Sequence, residues 1–310
     1  MTKLLILGAN SYIGSKFINK YIEKFQYISL CYHNNSENID NLKKYKNITF
    51  NKVDALNFDK ISLIVENFTP DIIINFSGYS SSEKSQLEID RCYSLNIVIA
   101  LNLIKIANLF PKIKIFNINT YLCLQETLSF DKNSGPYVKS KFIADQLFNE
   151  NHSNIQQIYL NNTESIYRED KFLVGKLINY FKENSGLPLE LYNLNIYRNF
   201  NYLGDVIDNV YEIVLKTDNK KIYIFPSLSI RLDELVNSFF LYNSKSIKWQ
   251  FEGNNIIGLN QLTNKVEVRG LFLNDDLHSQ NISIDPDKIH IFKSKSYDAD
   301  NFIRTLYKNE

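Results

Sequence analysis

Through the first half of the chain, short runs rich in β-branched residues alternate with amphipathic stretches, the pattern that builds a parallel sheet with helices on both faces. The runs predict strands at Lys3–Leu7, Tyr27–Tyr32, Ile48–Val53, Asp71–Phe76, Lys112–Ile118 and Ile155–Leu160. Between them, apolar residues three and four apart predict helices over Tyr12–Lys24, Lys60–Asn67, Ile89–Leu109 and Tyr137–Asn149. Beyond Asn161 the alternation loosens, with helical patterns near Lys171–Glu183, Tyr202–Leu215, Arg231–Tyr242 and Ala299–Tyr307. The expectation is an α/β fold: a doubly wound parallel sheet over residues 1–160, onto which 202–217 packs back, and a smaller α+β lobe over 161–310 facing a substrate. No Pro/Gly/Ser linker marks the boundary, so the two lobes are expected to pack together around a cleft.

The composition changes this picture little. At 310 residues, 44% hydrophobic and 22% charged, the chain can bury one substantial core or two modest ones, which excludes fibrous and disordered classes. Its formal net charge of +1 offers no basic field for a phosphate backbone, so nucleic acid is not expected as a partner. Cys31, Cys92 and Cys123 are an odd number with no paired spacing for a metal or a redox dithiol, so no metal site and a reducing cytoplasm are expected. Leu4–Leu7 runs straight into glycine, too short for a signal-peptide core. The longest apolar stretch, Ile97 to Ile106, is cut by Asn102 and Lys105 and falls short of the roughly 20 residues of a span, so no membrane association is expected.

Candidate chemistry begins at the first strand, which runs into Gly8-Ala9-Asn10-Ser11-Tyr12-Ile13-Gly14 and then a helix. This places a tight turn at the positive end of a helix, where backbone N–H groups can hold a pyrophosphate, as in a Rossmann-type NAD(P)-binding domain. Gly8 makes the turn and Gly14 lets helix and strand pack closely. Ser11, in place of the usual middle glycine, still permits backbone approach and can cap the helix. A plain strand-turn-helix with two glycines is the competing reading. The second strand ends in Tyr32-His33-Asn34-Asn35-Ser36, with no carboxylate to hold ribose hydroxyls. Small polar groups such as Asn34 leave room for a 2′-phosphate, which favours NADP (as NADPH) over NAD. Asp54, followed by Ala55 at the end of the third strand, is placed for the adenine amino group or for a helix N-cap.

Further along, Ser134-Gly135-Pro136-Tyr137-Val138-Lys139-Ser140-Lys141 opens a helix in which Tyr137 and Lys141 share one face. An ammonium beside a phenol stabilises the phenolate and lowers its pKa towards working pH, making it a usable acid or base. The same lysine can hydrogen-bond a nicotinamide ribose; the alternative is a solvated face with an aromatic ring on a lysine stem. Thr120 ends the strand pattern Phe116-Asn117-Ile118-Asn119-Thr120 and can hydrogen-bond a substrate oxygen together with Tyr137. Asn96, within a long apolar helix, is either a relay to backbone or water or a polar core residue.

In this order these residues resemble the extended short-chain dehydrogenase/reductases of the nucleotide-sugar epimerase/dehydratase type. Gly8 to Gly14, Asp54, Asn75-Phe76-Ser77-Gly78, Asn96, Thr120, Tyr137 and Lys141 match that family's landmarks, and Arg198-Asn199-Phe200-Asn201-Tyr202-Leu203-Gly204-Asp205-Val206 is similar to its Arg-x-Phe-x-Tyr-Val-x-Asp-Val segment. The resemblance covers most of the chain. It implies that Phe76, Ser77 and Gly78 line the cofactor beside Asn10, Ser11, Tyr12, Ile13, Asp54 and Ala55. It further implies that Thr120, Tyr137, Lys141 and Asn96 form the catalytic set, and that Asn162 and Arg198 bind a nucleotide sugar, Arg198 holding its diphosphate.

By the same resemblance, 4,6-dehydratases carry Asp-Glu directly after the threonine, where this chain has Tyr121-Leu122. Reductases that also epimerise use a cysteine two positions after; that place is Leu122. Ketoreduction and 4-epimerisation remain. The Asn119-Thr120 strand end and the short gap to Tyr137 resemble reductases of nucleotide-activated 4-keto-6-deoxyhexoses, which serve bacterial surface polysaccharides. The alternatives are a 4-epimerase with tightly bound NAD and a non-catalytic dinucleotide sensor. A homodimer through Ile89–Leu109 and Tyr137–Asn149 is expected by analogy.

Overall fold

The computed structural model describes residues 2–124, 134–151, 154–183, 186–252, 255–263, 265–271 and 289–308. The chain divides into two compact units. The first takes in the chain up to Leu160, the segment Ile207–Ile224 and the strand His290–Phe292; the second holds Asn161–Val206 and the described parts of 225–271 and 293–308.

The first unit is built on an eight-stranded sheet in the order β15-β10-β6-β5-β4-β1-β2-β3, and every pairing in it is parallel. Its strands are β1 (Lys3–Leu7), β2 (Tyr27–Tyr32), β3 (Ile48–Lys52), β4 (Ile72–Asn75), β5 (Lys114–Thr120), β6 (Ile155–Leu160), β10 (Lys221–Ile224) and β15 (His290–Phe292). Unbroken apolar runs such as Leu-Leu-Ile-Leu in β1 and Ile-Ile-Ile in β4 suit strands covered on both faces, and they are fully buried. The strand order reverses between β1 and β4, so the loops after these two strands flank the crevice where such sheets take ligands.

Helix α1 (Tyr12–Tyr21) starts at Ser11, whose side chain accepts the Gly14 N–H, and α2 (Phe58–Phe68) starts at Asn57, whose side chain accepts from Lys60. α2 ends at Thr69 in the left-handed region, with φ 47°. α3 (Ile89–Leu109) contains one π-helical turn at Ser94–Val98. α4 spans Pro136–Asn151. α3 has the predicted bounds, and although its Ile97–Ile106 run is interrupted, by length and composition the whole helix could cross a membrane. Half of its most apolar 18-residue stretch is nonetheless buried, and Ile99, Ala100, Leu103, Ile106 and Ala107 pack in the core of the first unit against Leu5, Ile73, Ile115 and Phe148.

The second unit contains α5 (Leu173–Glu183), α7 (Leu232–Tyr242), α8 (Ala299–Tyr307) and two small sheets. One has the order β11-β9-β7, from β7 (Asn162–Glu164), β9 (Tyr197–Tyr202) and β11 (Leu228–Arg231); the other has the order β12-β13-β14-β8, from β8 (Leu189–Tyr192), β12 (Ile247–Glu252), β13 (Asn255–Asn260) and β14 (Val266–Leu271). Their core joins Phe200, Phe239, Phe240, Phe302 and Leu306. Helix α6 (Leu203–Lys216) contributes its residues from Ile207 onward to the first unit.

The sequence pattern places six strands in the large sheet, whereas β10 and β15 extend it to eight. Neither follows a regular strand–helix alternation, and β15 is only three residues long. The second-unit strands also escape the pattern, because polar runs such as Tyr-Arg-Asn-Phe-Asn-Tyr in β9 carry little alternation. The 3₁₀ segment Glu37–Lys44, which seats Ile39 and Leu42 in the core, was not expected from the sequence either.

Candidate active site

At the carboxyl edge of β1, Gly8 adopts φ +72°, a region that favours glycine. A Cβ there would come within 2.7 Å of Ser77 N and 2.8 Å of Ser77 Oγ, so the turn after β1 lies directly against the turn after β4. At Gly14 a Cβ would fall 2.7 Å from the Gly8 carbonyl oxygen. Both glycines therefore line a backbone cradle that side chains would fill. Ser11 closes it by accepting the Gly14 N–H at 3.1 Å. The cradle at the start of α1 has the form needed for a dinucleotide pyrophosphate.

Asn10 ties this cradle to the segment after β2: its Nδ2 donates to Asn35 Oδ1 at 2.5 Å and its Oδ1 accepts the Asn38 N–H at 2.9 Å. Asn34 is exposed in that segment, and Tyr12 and Ile13 are partly exposed. Asp54 accepts the Leu56 N–H at 2.9 Å, and its other oxygen is 3.7 Å from His33 Nε2. The helix cap considered for Asp54 is taken by Asn57 instead, because α2 begins at Phe58, four residues later. Ala55 offers its carbonyl to Asn102 Nδ2 at 2.9 Å.

Across the switch point, Asn75, Phe76, Ser77 and Gly78 leave β4. A Cβ at Gly78 would sit 3.0 Å from both Lys141 Nζ and Asn96 Oδ1, which brings the loop after β4, the π turn of α3 and the second turn of α4 to one place. Asn96 is 5% exposed and accepts the Tyr79 N–H at 2.9 Å while its Nδ2 donates to Ser140 Oγ at 2.9 Å. Asn96 is thus both buried and bonded to backbone, so both readings of it stay open, and the π turn, a feature frequent at functional sites, aims it.

Thr120 ends β5, and Tyr137 lies in the first turn of α4, with its phenol close enough to the Thr120 hydroxyl to feel it. The Tyr137 N–H donates to Ser85 Oγ at 3.3 Å. Burial pushes the Tyr137 phenol above the ordinary tyrosine range, with Cys123 adding to the rise and the Thr120 hydroxyl opposing it. Burial also lowers the Lys141 ammonium. Against the expectation that Lys141 brings the phenol down towards working pH, loss of solvation is the largest influence on Tyr137 and holds it protonated. Beneath these groups, Asn75, Ser77, Asn96, Asn117, Asn119 and Lys141 contribute to the lining of a water-sized cavity.

Ser140 was not expected from the sequence, although its place directly before Lys141 is the signal that could have found it. Asn162 and Arg198 lie in the second unit. Asn162 Nδ2 donates to the Asn199 carbonyl at 2.9 Å, and Arg198, partly exposed on β9, donates to the Tyr197 carbonyl at 3.3 Å. Gln125–Asn133, between Thr120 and Tyr137, falls outside the described residues. Among the described residues no group of three or more metal-ligating side chains is present, and all three cysteines are buried and free.

The chain is similar in sequence and in fold to known proteins. The chain is 26% identical over 169 residues to a UDP-glucose 4-epimerase of Mycoplasma genitalium, a match covering 50% of this chain and 49% of that protein. It is 27% identical over 97 residues to a dTDP-4-dehydrorhamnose reductase of Aggregatibacter actinomycetemcomitans, covering 31% of this chain and 28% of the relative. The matches thus span about half or less of the lengths of these relatives. In fold, the dTDP-glucose 4,6-dehydratase of Streptomyces venezuelae superposes with a TM-score of 0.75 over 99% of this chain and 97% of that one, at 16% identity. The sequence profile of the GDP-mannose 4,6-dehydratase family matches residues 5–292, from β1 to β15, and the chain belongs to that family.

Proposed function

We propose that the chain reduces the 4-keto group of a nucleotide-activated 4-keto-6-deoxy sugar with a nicotinamide dinucleotide, in deoxysugar biosynthesis for a bacterial surface polysaccharide. The observation that carries this reading is the placing of the Thr120 hydroxyl beside the Tyr137 phenol at the carboxyl edge of the sheet, with Lys141 one turn further along α4. The cradle of Gly8, Ser11 and Gly14 suits the pyrophosphate, and Phe76, Ser77 and Gly78 continue its wall. A reduced nicotinamide held by these residues would supply the hydride for the keto carbon. Tyr137, held protonated, gives its proton to the developing alkoxide, and Thr120 hydrogen-bonds the same oxygen. Lys141 stabilises the phenolate left behind.

Dehydration is set aside because the two positions after Thr120 are Tyr121 and Leu122, neither a carboxylate. The similarity to a dTDP-4-dehydrorhamnose reductase supports reduction. NADPH is the proposed reductant, on the ground that the four residues directly after β2, His33 to Ser36, include no carboxylate; the similar dehydratase of Streptomyces venezuelae was solved with NAD. The same reading makes the protein a homodimer through α3 and α4, whose Leu101 and Ile143 are exposed. Consumption of NADPH and of NADH, followed with a panel of nucleotide-linked 4-keto-6-deoxyhexoses, tests the reading. Stoichiometric oxidation is expected. Interconversion of non-keto sugars without net oxidation would make the protein an epimerase instead, and dinucleotide binding with no turnover would make it a sensor.

A further inference from the structure

Three neighbouring strands in the middle of the large sheet carry amides at matching positions. Asn75 on β4 is in register with Asn117 on β5, and Asn117 with Gln157 on β6. All three are buried, at 1%, 7% and 2% exposure. Asn75 Nδ2 donates to Asn117 Oδ1 at 2.8 Å, and Asn117 Nδ2 donates to Gln157 Oε1 at 2.9 Å, so the amides point one way along the row. Asn119 Nδ2 reaches the same Gln157 oxygen at 3.5 Å.

Central strands of a parallel sheet are ordinarily apolar runs, and a buried amide row adds little stability over side chains of similar shape. This row is not even complete, since Gln157 Nε2 is buried with no hydrogen-bond partner among the described residues. Its ends point to another role. At one end Asn75 Oδ1 accepts the Ser77 N–H at 3.0 Å, and Asn75 Nδ2 also reaches the Ser77 carbonyl at 3.2 Å. At the other end Asn119 Oδ1 accepts the N–H of Thr120 at 2.9 Å. The row therefore joins the turn after β4 to the end of β5, the two backbone segments between which the proposed chemistry lies.

We propose that Asn117 is a positioning residue: through Asn75 on one side and Gln157 and Asn119 on the other, it holds the Ser77 turn and Thr120 in a fixed relation. Its link to catalysis rests on the ketoreductase reading; its effect on the two segments does not. Without Asn117, Asn75 Nδ2 loses its neighbour and is free to turn away from Ser77, while Gln157 Oε1 keeps only the long contact to Asn119.

Hydrogen exchange at the Ser77 and Thr120 amides, followed with turnover in Asn117→Leu, Asn117→Thr and Gln157→Leu, tests the proposal. Exchange at both amides should speed up at least tenfold in Asn117→Leu, with Asn117→Thr intermediate, while protection of Ile73 and Ile115 is unchanged. Gln157→Leu should act chiefly at Thr120. On a keto sugar that turns over, kcat of Asn117→Leu should fall at least tenfold while KM stays within threefold. The control Gln156→Leu, one residue along and on the opposite face of β6, should leave both amides as they were. Unchanged exchange at Ser77 and Thr120 would overturn the positioning role, whether or not a substrate is in hand. Faster exchange with undiminished kcat would overturn its link to catalysis. If no keto sugar turns over, the ketoreductase reading fails, and the exchange result still decides the role of Asn117. Should Asn117→Leu fail to fold, Asn117→Thr and Gln157→Leu carry the same comparison.

Discussion

Asn96 Nδ2 donates to Ser140 Oγ at 2.9 Å, joining the π turn of α3 to α4 between Tyr137 and Lys141, directly before the lysine. Ser140 passes the link on by donating to the Tyr137 carbonyl at 2.9 Å, and Cys92 Sγ lies 3.3 Å from the same hydroxyl. The other end of the Asn96 amide accepts the Tyr79 N–H, so one buried side chain ties the loop after β4 to the helix that carries the tyrosine and the lysine.

Asn96→Leu removes both bonds and strands the Tyr79 N–H in the interior. The expected cost is about 1–3 kcal/mol of stability, read by urea unfolding. The variant should also bind dinucleotide more weakly, because the Gly78 loop loses its tie. If Asn96 serves only to fill the core, stability falls while the dinucleotide dissociation constant, measured by fluorescence quenching, stays where it was.

Tyr137→Phe keeps the ring and removes the proton. Turnover should fall by about 10²–10⁴-fold while dinucleotide still binds, and wild-type-like turnover would end the acid role. The direction of the pKa shift adds a second reading. Because burial raises the phenol, Tyr137 stays protonated through the neutral range and above it, and an acid is active in its protonated form. The wild-type rate of keto-sugar reduction should therefore show no loss traceable to Tyr137 between pH 6 and 9. A fall near neutrality that Tyr137→Phe abolishes would mean that Lys141 outweighs burial after all.

The features legible in the sequence were those with a local signature. The cradle at Gly8 to Gly14 announces itself through a strand, two glycines and a helix start. Tyr137 and Lys141 announce themselves through their spacing on a helix opened by Pro136. The amide row is invisible by the same logic, since Asn75, Asn117 and Gln157 stand far apart in the chain and meet only through strand register. The position of Asn96 was legible, but its aim was not, because the π turn that sets it leaves no mark in hydrophobic spacing. The sign of the Tyr137 shift was missed for a related reason: charge spacing can be read along a helix, whereas desolvation depends on the whole surrounding structure.

Arg198 tests the substrate side. It stands on β9 opposite Ile230, partly exposed, with its guanidinium against the Tyr197 carbonyl. If it grips the diphosphate of a nucleotide sugar, Arg198→Ala should raise KM by about tenfold to a hundredfold and change kcat little. An unchanged KM in steady-state assays would remove Arg198 from the site.

Glu164, at the end of β7, gives the second unit a pH signature of its own. It is 3% exposed, and its carboxylate lies 3.3 Å from Arg168 Nε. Burial raises its pKa from the ordinary 4.5 to about 7, with Arg168 pulling the other way. Between these values the folded chain keeps a proton that the unfolded chain has released, so stability must decline as pH rises from about 4.5 to 7 and level off above. At 1.36 kcal/mol per unit, the decline is on the order of 3 kcal/mol. Glu164→Gln carries no titrating proton and retains an oxygen to face Arg168. Urea unfolding at pH 5, 6, 7 and 8 should give the variant a flatter profile than the wild type, with the gap in the variant's favour widening towards pH 7. Taking the difference between the two proteins cancels the other carboxylates, whose protonation moves stability the opposite way in both. Parallel profiles would mean that Glu164 is ionised in the folded chain at pH 5 and that Arg168 compensates its burial.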